Sequence, residues 1–263
     1  MYPAILGKFT KLLSAASPFI VLAGIVVLQA QEYKKSVHKL NRADFLAREQ
    51  EQARLVNWQR YSPSLGFSNL KADWSYLDFV QYFGDREARK TIGYKLVPEY
   101  FKTLTATDPR FTQAYLTLSV ANSMYAGNPE TTIALIEEVL NSVDPKSEQA
   151  AYLWTSKGLD ELLFMGDKEA AIASYEMAAK WQEMQQGSRL DSLTIQNLKI
   201  SLEDATEIDL KYAQVRAWSG VLAYVRDNDK QREILAKIST LKAEISDLEQ
   251  ANDVQSKSSF SIE

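Results

Sequence analysis

The chain has 263 residues and no cysteine. Disulfides, thiolate nucleophiles, zinc–cysteine sites and iron–sulfur clusters are therefore excluded. It has a single histidine, His38. That residue stands in a strongly charged stretch and reads as a solvated helix position, so a Ser-His-Asp arrangement has nowhere else to start. No glycine-rich phosphate loop is present. Gly66-Phe67-Ser68-Asn69-Leu70 approaches a nucleophile elbow, but it lacks the second glycine and a histidine partner. An excess of basic charge is also missing: the formal net charge is −4, and lysine and arginine are dispersed. A nucleic-acid partner would call for a basic patch or stripe, so none is expected. The reading is accordingly not an enzyme, with no catalytic residue, no cofactor and no metal site.

What is present begins with one long apolar run. Residues 12–30, L-L-S-A-A-S-P-F-I-V-L-A-G-I-V-V-L-Q-A, carry no charge. As a helix they would be about 28 Å long at ~1.5 Å per residue, close to the thickness of a bilayer core. Leu28-Gln29-Ala30 is a poor cleavage signal, because only its last residue is small. Residues 1–31 are therefore expected to be an uncleaved, single-pass membrane anchor. Lys8 and Lys11 precede the run, while Lys34, Lys35, Lys39 and Arg42 follow it. The charge count slightly favours a cytoplasmic carboxy-terminal domain. A short basic stub before an apolar run is also how exported, signal-anchored proteins begin, and export (a periplasmic or luminal domain) is the reading adopted.

Residues 32–62 are rich in charge and read as a solvated helical stalk until Tyr61-Ser62-Pro63-Ser64-Leu65-Gly66 breaks them. The stretch that organises the remainder is S-N-L-K-A-D-W-S-Y-L-D-F-V-Q-Y-F-G-D, residues 68–85. Ser68 or Asn69 is expected to cap a helix, and Gly84 to end it. Leu70, Trp74, Leu77, Phe79, Val80, Tyr82 and Phe83 leave almost no polar face, so the helix is expected to be buried on several sides. Asp73 and Asp78 lie on it, about 140° apart at ~100° per residue, and so do not share a face. They and Asp85 are read as caps and salt-bridge partners.

Further helices are expected from residue 87 or 94 (or 96, since Pro98 falls within the stretch) to 105, and over 111–125, 130–142, 147–164 and 168–185, ended by glycine or Asp-Pro turns, and over 190–202 and 205–225. Asp108-Pro109 and Asp144-Pro145, and the glycines Gly84, Gly127 and Gly166, recur at intervals of about 36 to 43 residues. Such a period marks helical-hairpin repeats. The final helix carries Ile234, Ile238, Leu241, Ile245 and Leu248 at spacings of 4, 3, 4 and 3. This is a short coiled-coil-like seam suited to a homodimer, or the contact face of a terminal capping helix. Residues 251–263, polar and serine-rich, read as a disordered tail.

The segment Ala171-x-x-x-Tyr175-x-x-Ala178 after Gly166 resembles the second helix of a tetratricopeptide repeat. Gly66-Phe67-Ser68-Asn69-Leu70-x-Ala72-Asp73-Trp74, with Gln81-Tyr82-Phe83-Gly84-Asp85 and Asp108-Pro109-Arg110-Phe111, resembles the start of a group of membrane-anchored, tetratricopeptide-like bacterial proteins. The resemblance covers roughly residues 66–182. It implies an all-α array of hairpins over residues 63–186, followed by C-terminal helices over 187–250. It also implies a protein-binding groove, for which loose register selects Thr117, Ala121, Ser156 and Asp160. The expected function is a membrane-tethered, protein-binding scaffold that assists assembly or stability of a membrane complex, with membrane-associated protein partners. The alternatives are a carbohydrate-active or other enzyme using carboxylates of the 70–83 helix, and a structural dimer joined by the last helix.

Overall fold

The computed structural model describes residues 22–29, 40–147, 149–185 and 192–259. His38 and most of the expected anchor lie outside these ranges. The chain divides into two compact units, residues 1–45 and 46–263. In the first, residues 22–29 form a helix, α1, whose Leu22, Ile25, Val26, Val27 and Leu28 are all exposed. Among the described residues no helix is long and apolar enough to cross a membrane.

Every regular element of the described chain is helical. After α2 (Arg42–Tyr61) come α3 (Ser68–Gly84), α4 (Arg86–Ile92), α5 (Val97–Thr107) and the single turn α6 (Thr112–Tyr115). A π-helical stretch, π1 (Ser119–Tyr125), precedes α7 (Pro129–Leu140) and α8 (Ala150–Asp160). A second, π2 (Glu161–Met165), continues α8 directly. Then follow α9 (Lys168–Glu183), α10 (Ser192–Asp204), α11 (Glu207–Leu222) and α12 (Asn228–Ser259).

Local chemistry explains most boundaries. Asp85 and Asp167 cap α4 and α9 by accepting from the amides of Ala88 and Ala170, each satisfying a free first-turn donor. Thr206 and Asp209 form a reciprocal capping box on α11. Pro98 and Pro129 sit in first turns, where a missing amide costs nothing. Gly127 and Gly166 end π1 and π2 with φ near +71°. The expected cap at Ser68 or Asn69 is absent: the cap position is Phe67, and no side chain bonds there. Gly84 does not take the left-handed conformation; it is helical, and the chain turns at Asp85. The helix expected over 111–125 is split into α6 and π1. The expected tail is helical through Ser259, consistent with a segment that contains neither glycine nor proline.

The second unit holds three apolar clusters. The largest is aromatic, with Phe79, Tyr82, Tyr100, Phe101 and Tyr115 among Val97, Leu104, Leu118 and Ile136. Ala171, Tyr175, Ala178, Ile195 and Leu202 join α9 to α10. Gly158 lets α8 approach α9 closely: a Cβ there would lie 2.8 Å from Tyr175 Cε1. In the third cluster Ile234 and Ile238 pack with Phe164, Trp218, Val221 and Val225. The seam residues thus face their own chain, with Ile234, Ile238 and Ile245 buried and Leu241 and Leu248 half-buried. Within the chain, α12 therefore packs on α11 and π2 through these residues.

The α11–α12 hairpin also reaches back to early elements. Tyr224 packs on Tyr125 with ring centroids 4.2 Å apart, and Arg226 Nε donates to the Lys90 carbonyl at 3.1 Å.

Candidate functional site

The expected stalk is not solvated on all sides. From Leu46 onward α2 lies antiparallel along α3, because Tyr82 donates to Glu49 at 2.7 Å, Gln59 to Asp78 at 2.9 Å, and Lys71 to the Ser62 carbonyl. Arg60 binds the Glu99 carboxylate at 2.8 Å, and Thr103 donates to the Val56 carbonyl, which fixes the other edge of α2 on α5. Arg89 is buried between these helices. It pairs with Glu49 at 3.0 Å and lies 3.6 Å over the Tyr82 ring. Burial, with Glu49 beside it, pushes the Tyr82 phenol far above its ordinary range.

These contacts leave one side of the hairpin open. On α3, Ala72, Ser75, Phe79 and Tyr82 are buried, but Leu70, Trp74 and Leu77 form an exposed stripe at i, i+4 and i+7, flanked by exposed Val80. The expectation that this helix is buried on several sides is therefore corrected. It is buried on one side, and the opposite side carries the exposed apolar stripe together with exposed Asp73 and Gln81. On α2, Leu55 and Trp58 are exposed one turn and one residue before Gln59, on the solvent side of the α2–α3 seam. Tyr61 at the end of α2, and Leu65 and Phe67 in the loop that follows, are exposed as well. Trp58 and Trp74 are 68% and 62% exposed. Four aromatic side chains of ~150–250 Å² each, about two-thirds bare, amount to roughly 500 Å².

A second feature is polar and buried. Asp160, 1% exposed, accepts from Ser119 Oγ at 2.7 Å and Ser123 Oγ at 2.6 Å. Ser123 Oγ also lies 2.8 Å from Thr132 Oγ1, to which Asn122 Nδ2 donates. Ser119, Asn122 and Ser123 belong to π1, and Asp160 immediately precedes π2, so the two widened helical stretches meet at one carboxylate. Burial pushes the Asp160 carboxyl up to about 6, against the pull of its two serine donors, with Glu161 adding to the rise. Glu161 is itself buried and engaged by Lys157 and by Ser174 Oγ. A shallow surface cavity of about 350 Å³ beside π2 is lined by Glu130, Glu137, Glu161 and Asp167 with Ile133 and Met165. Among the described residues no cluster of three or more metal-ligating side chains occurs.

The four groove residues chosen by register do not share an open face. Thr117 is exposed and Ser156 half-buried, whereas Ala121 and Asp160 are buried and out of reach of a docked partner. Of the three carboxylates by the 70–83 helix, Asp78 is held by Gln59 and Asp85 by the start of α4, while Asp73 is exposed. The open residues that register missed are Trp58, Tyr61, Leu65 and Phe67. One signal for them stood in the sequence: residues 61–70 contain no charged side chain. Comparison with known protein families, with curated proteins and with solved structures returns no match.

Proposed function

We propose that this chain is a membrane-tethered helical scaffold that holds an apolar helix of another protein against the open face of α2 and α3. The observation that carries the reading is the bare stripe of Leu70, Trp74 and Leu77 beside Leu55 and Trp58. A soluble monomer rarely leaves such an area uncovered, and an amphipathic helix laid along the hairpin would dock by i, i+3, i+4 and i+7 anchors. The uncharged run at residues 12–30 supports the tether, and the pairing of consecutive antiparallel helices with a close approach at Gly158 supports a tetratricopeptide-like array. Assembly or maintenance of a membrane complex is the role that suits a tethered, non-catalytic binding face.

The test is photo-crosslinking in intact membranes from a benzophenone amino acid placed at Trp74 or Leu77 of the full chain, with exposed Gln250 on α12 as control. The expected result is a discrete protein adduct from the α3 positions that disappears when Leu70→Asp is added. Identical adducts from Gln250, or none from α3, would sink the reading.

A further inference from the structure

Thirteen tyrosines stand in a chain that has no cysteine, so no disulfide can tie one of its elements to another. Three of them meet where the last hairpin returns onto the earlier helices. Tyr94 follows α4, Tyr125 ends π1 and Tyr224 follows α11. The Tyr125 and Tyr224 rings lie 4.2 Å apart, centroid to centroid, with their planes 39° apart, and their hydroxyls share a hydrogen bond. Rings so arranged bring the carbons ortho to the two oxygens alongside each other. Tyr94 meets Tyr125 differently, edge to face, at 4.9 Å and 64°. Solvent reaches both members of the 125–224 pair, because Tyr125 is half-buried and Tyr224 exposed. A further close pair, Tyr82 with Tyr100 at 5.3 Å, is sealed in the core.

The backbone on either side holds the pair in place. Arg226, two residues beyond Tyr224, donates from Nε to the Lys90 carbonyl. Two glycine turns let the segment come this close: a Cβ at Gly93 would lie 3.3 Å from Arg226 Cβ, and one at Gly127 would lie 3.1 Å from Val221 Cγ1. We propose that Tyr125 and Tyr224 are a modification site, joined by oxidation into an ortho-linked dityrosine that fixes the last hairpin to π1. The oxidant is hydrogen peroxide acting through a haem peroxidase. Each phenol gives up one electron and its hydroxyl proton, and the two phenoxyl radicals couple through one ortho carbon each. The hydrogen on each of those carbons then moves as a proton to the oxygen of its own ring. One carbon–carbon bond has replaced two carbon–hydrogen bonds, and the peroxide leaves as two waters. Radicals already in contact couple with each other before either meets a second chain, because a positioned partner acts at a high effective concentration. The bond closes residues 125–224 into a loop, which restricts the unfolded chain as a disulfide would.

In the test, the full chain is treated with a haem peroxidase and one equivalent of hydrogen peroxide, and the monomer is digested with trypsin. Peptide 217–226, whose only tyrosine is Tyr224, is expected joined to peptide 111–146 through Tyr125, the pair being lighter by two hydrogen atoms. The monomer is expected to show the blue fluorescence of the biphenol, about tenfold weaker in Tyr125→Phe and in Tyr224→Phe. It is also expected to melt roughly 10 °C above the untreated chain. The joined peptides are read on the parent chain, so they do not depend on how the variants fold. A monomer in which Tyr125 is joined to Tyr94 in peptide 91–95 instead, or links found only between chains, overturns the site. Fluorescence equal in parent and variants does the same. A joined monomer that melts with the untreated chain overturns the fixing of the hairpin.

Discussion

Replacing Asp160 by asparagine isolates one ionisation and should reveal itself in the pH dependence of stability. Asp160 is all but inaccessible, and burial raises its carboxyl from an ordinary 3.8 to about 6. Between those values the unfolded chain gives up a proton that the folded chain keeps. Stability contributed by this group therefore falls as pH rises, and the loss is complete above pH 6. Two pH units correspond to about 3 kcal/mol in full, of which about 2 kcal/mol falls between pH 4.5 and 7. Asparagine keeps the shape and one acceptor for Ser119 or Ser123 but cannot ionise. Urea unfolding of both proteins at pH 4.5, 5.5, 6.5 and 7 gives the gap directly, and carboxylates common to both cancel from it. Relative to the variant, the parent should lose about 2 kcal/mol across that range. A gap constant within about 0.5 kcal/mol, or one that moves in favour of the parent at higher pH, would show that Asp160 is solvated and that π1 and π2 do not meet on it.

Three further outcomes follow from contacts described above. Arg89→Ala leaves the largely covered Glu49 without its cation and empties a buried site over Tyr82, which costs about 3 kcal/mol in chemical denaturation, whereas Lys102→Ala on the exposed side of α5 changes stability by less than about 0.5 kcal/mol. Gly158→Ala sets a methyl against Tyr175 and the Ala171 carbonyl, lowering stability by about 1–3 kcal/mol by calorimetry. An unchanged melting temperature would mean that α8 and α9 are further apart than described. Trp74→Ser alters folding stability by less than about 0.5 kcal/mol but reduces the protein adduct in the crosslinking experiment, and a large loss of stability would place Trp74 in the core.

The sequence made helix type and most helix ends legible because the cues are local. Gly166's reversal followed by the Asp167 cap, Pro129 at a first turn, and the Ala171, Tyr175 and Ala178 spacing all act within a few residues. The last helix was legible in its buried face, but that Ile234 and Ile238 pack on Trp218 and Phe164 was not, because those two residues lie in other elements. The 70–83 helix misled for a physical reason. Hydrophobicity states what a side chain avoids but not what covers it, so Trp74 on a bare face and Phe79 in the core read alike. The π-helical stretches were hidden as well. Ser119, Asn122 and Ser123 look like ordinary helix residues until Asp160, distant in sequence, is placed opposite them.

The return of the last hairpin onto early elements bears on synthesis. Tyr125 emerges from the ribosome well before Tyr224, the ring that packs on it, and the Lys90 carbonyl well before Arg226. At ~5–20 residues per second that delay is roughly 5–20 s. For this interval the aromatic edge formed by Phe83, Tyr94 and Tyr125 is made but uncovered. The nascent chain is then most exposed to chaperones and proteases, and a stop codon before residue 224 would make that transient exposure permanent.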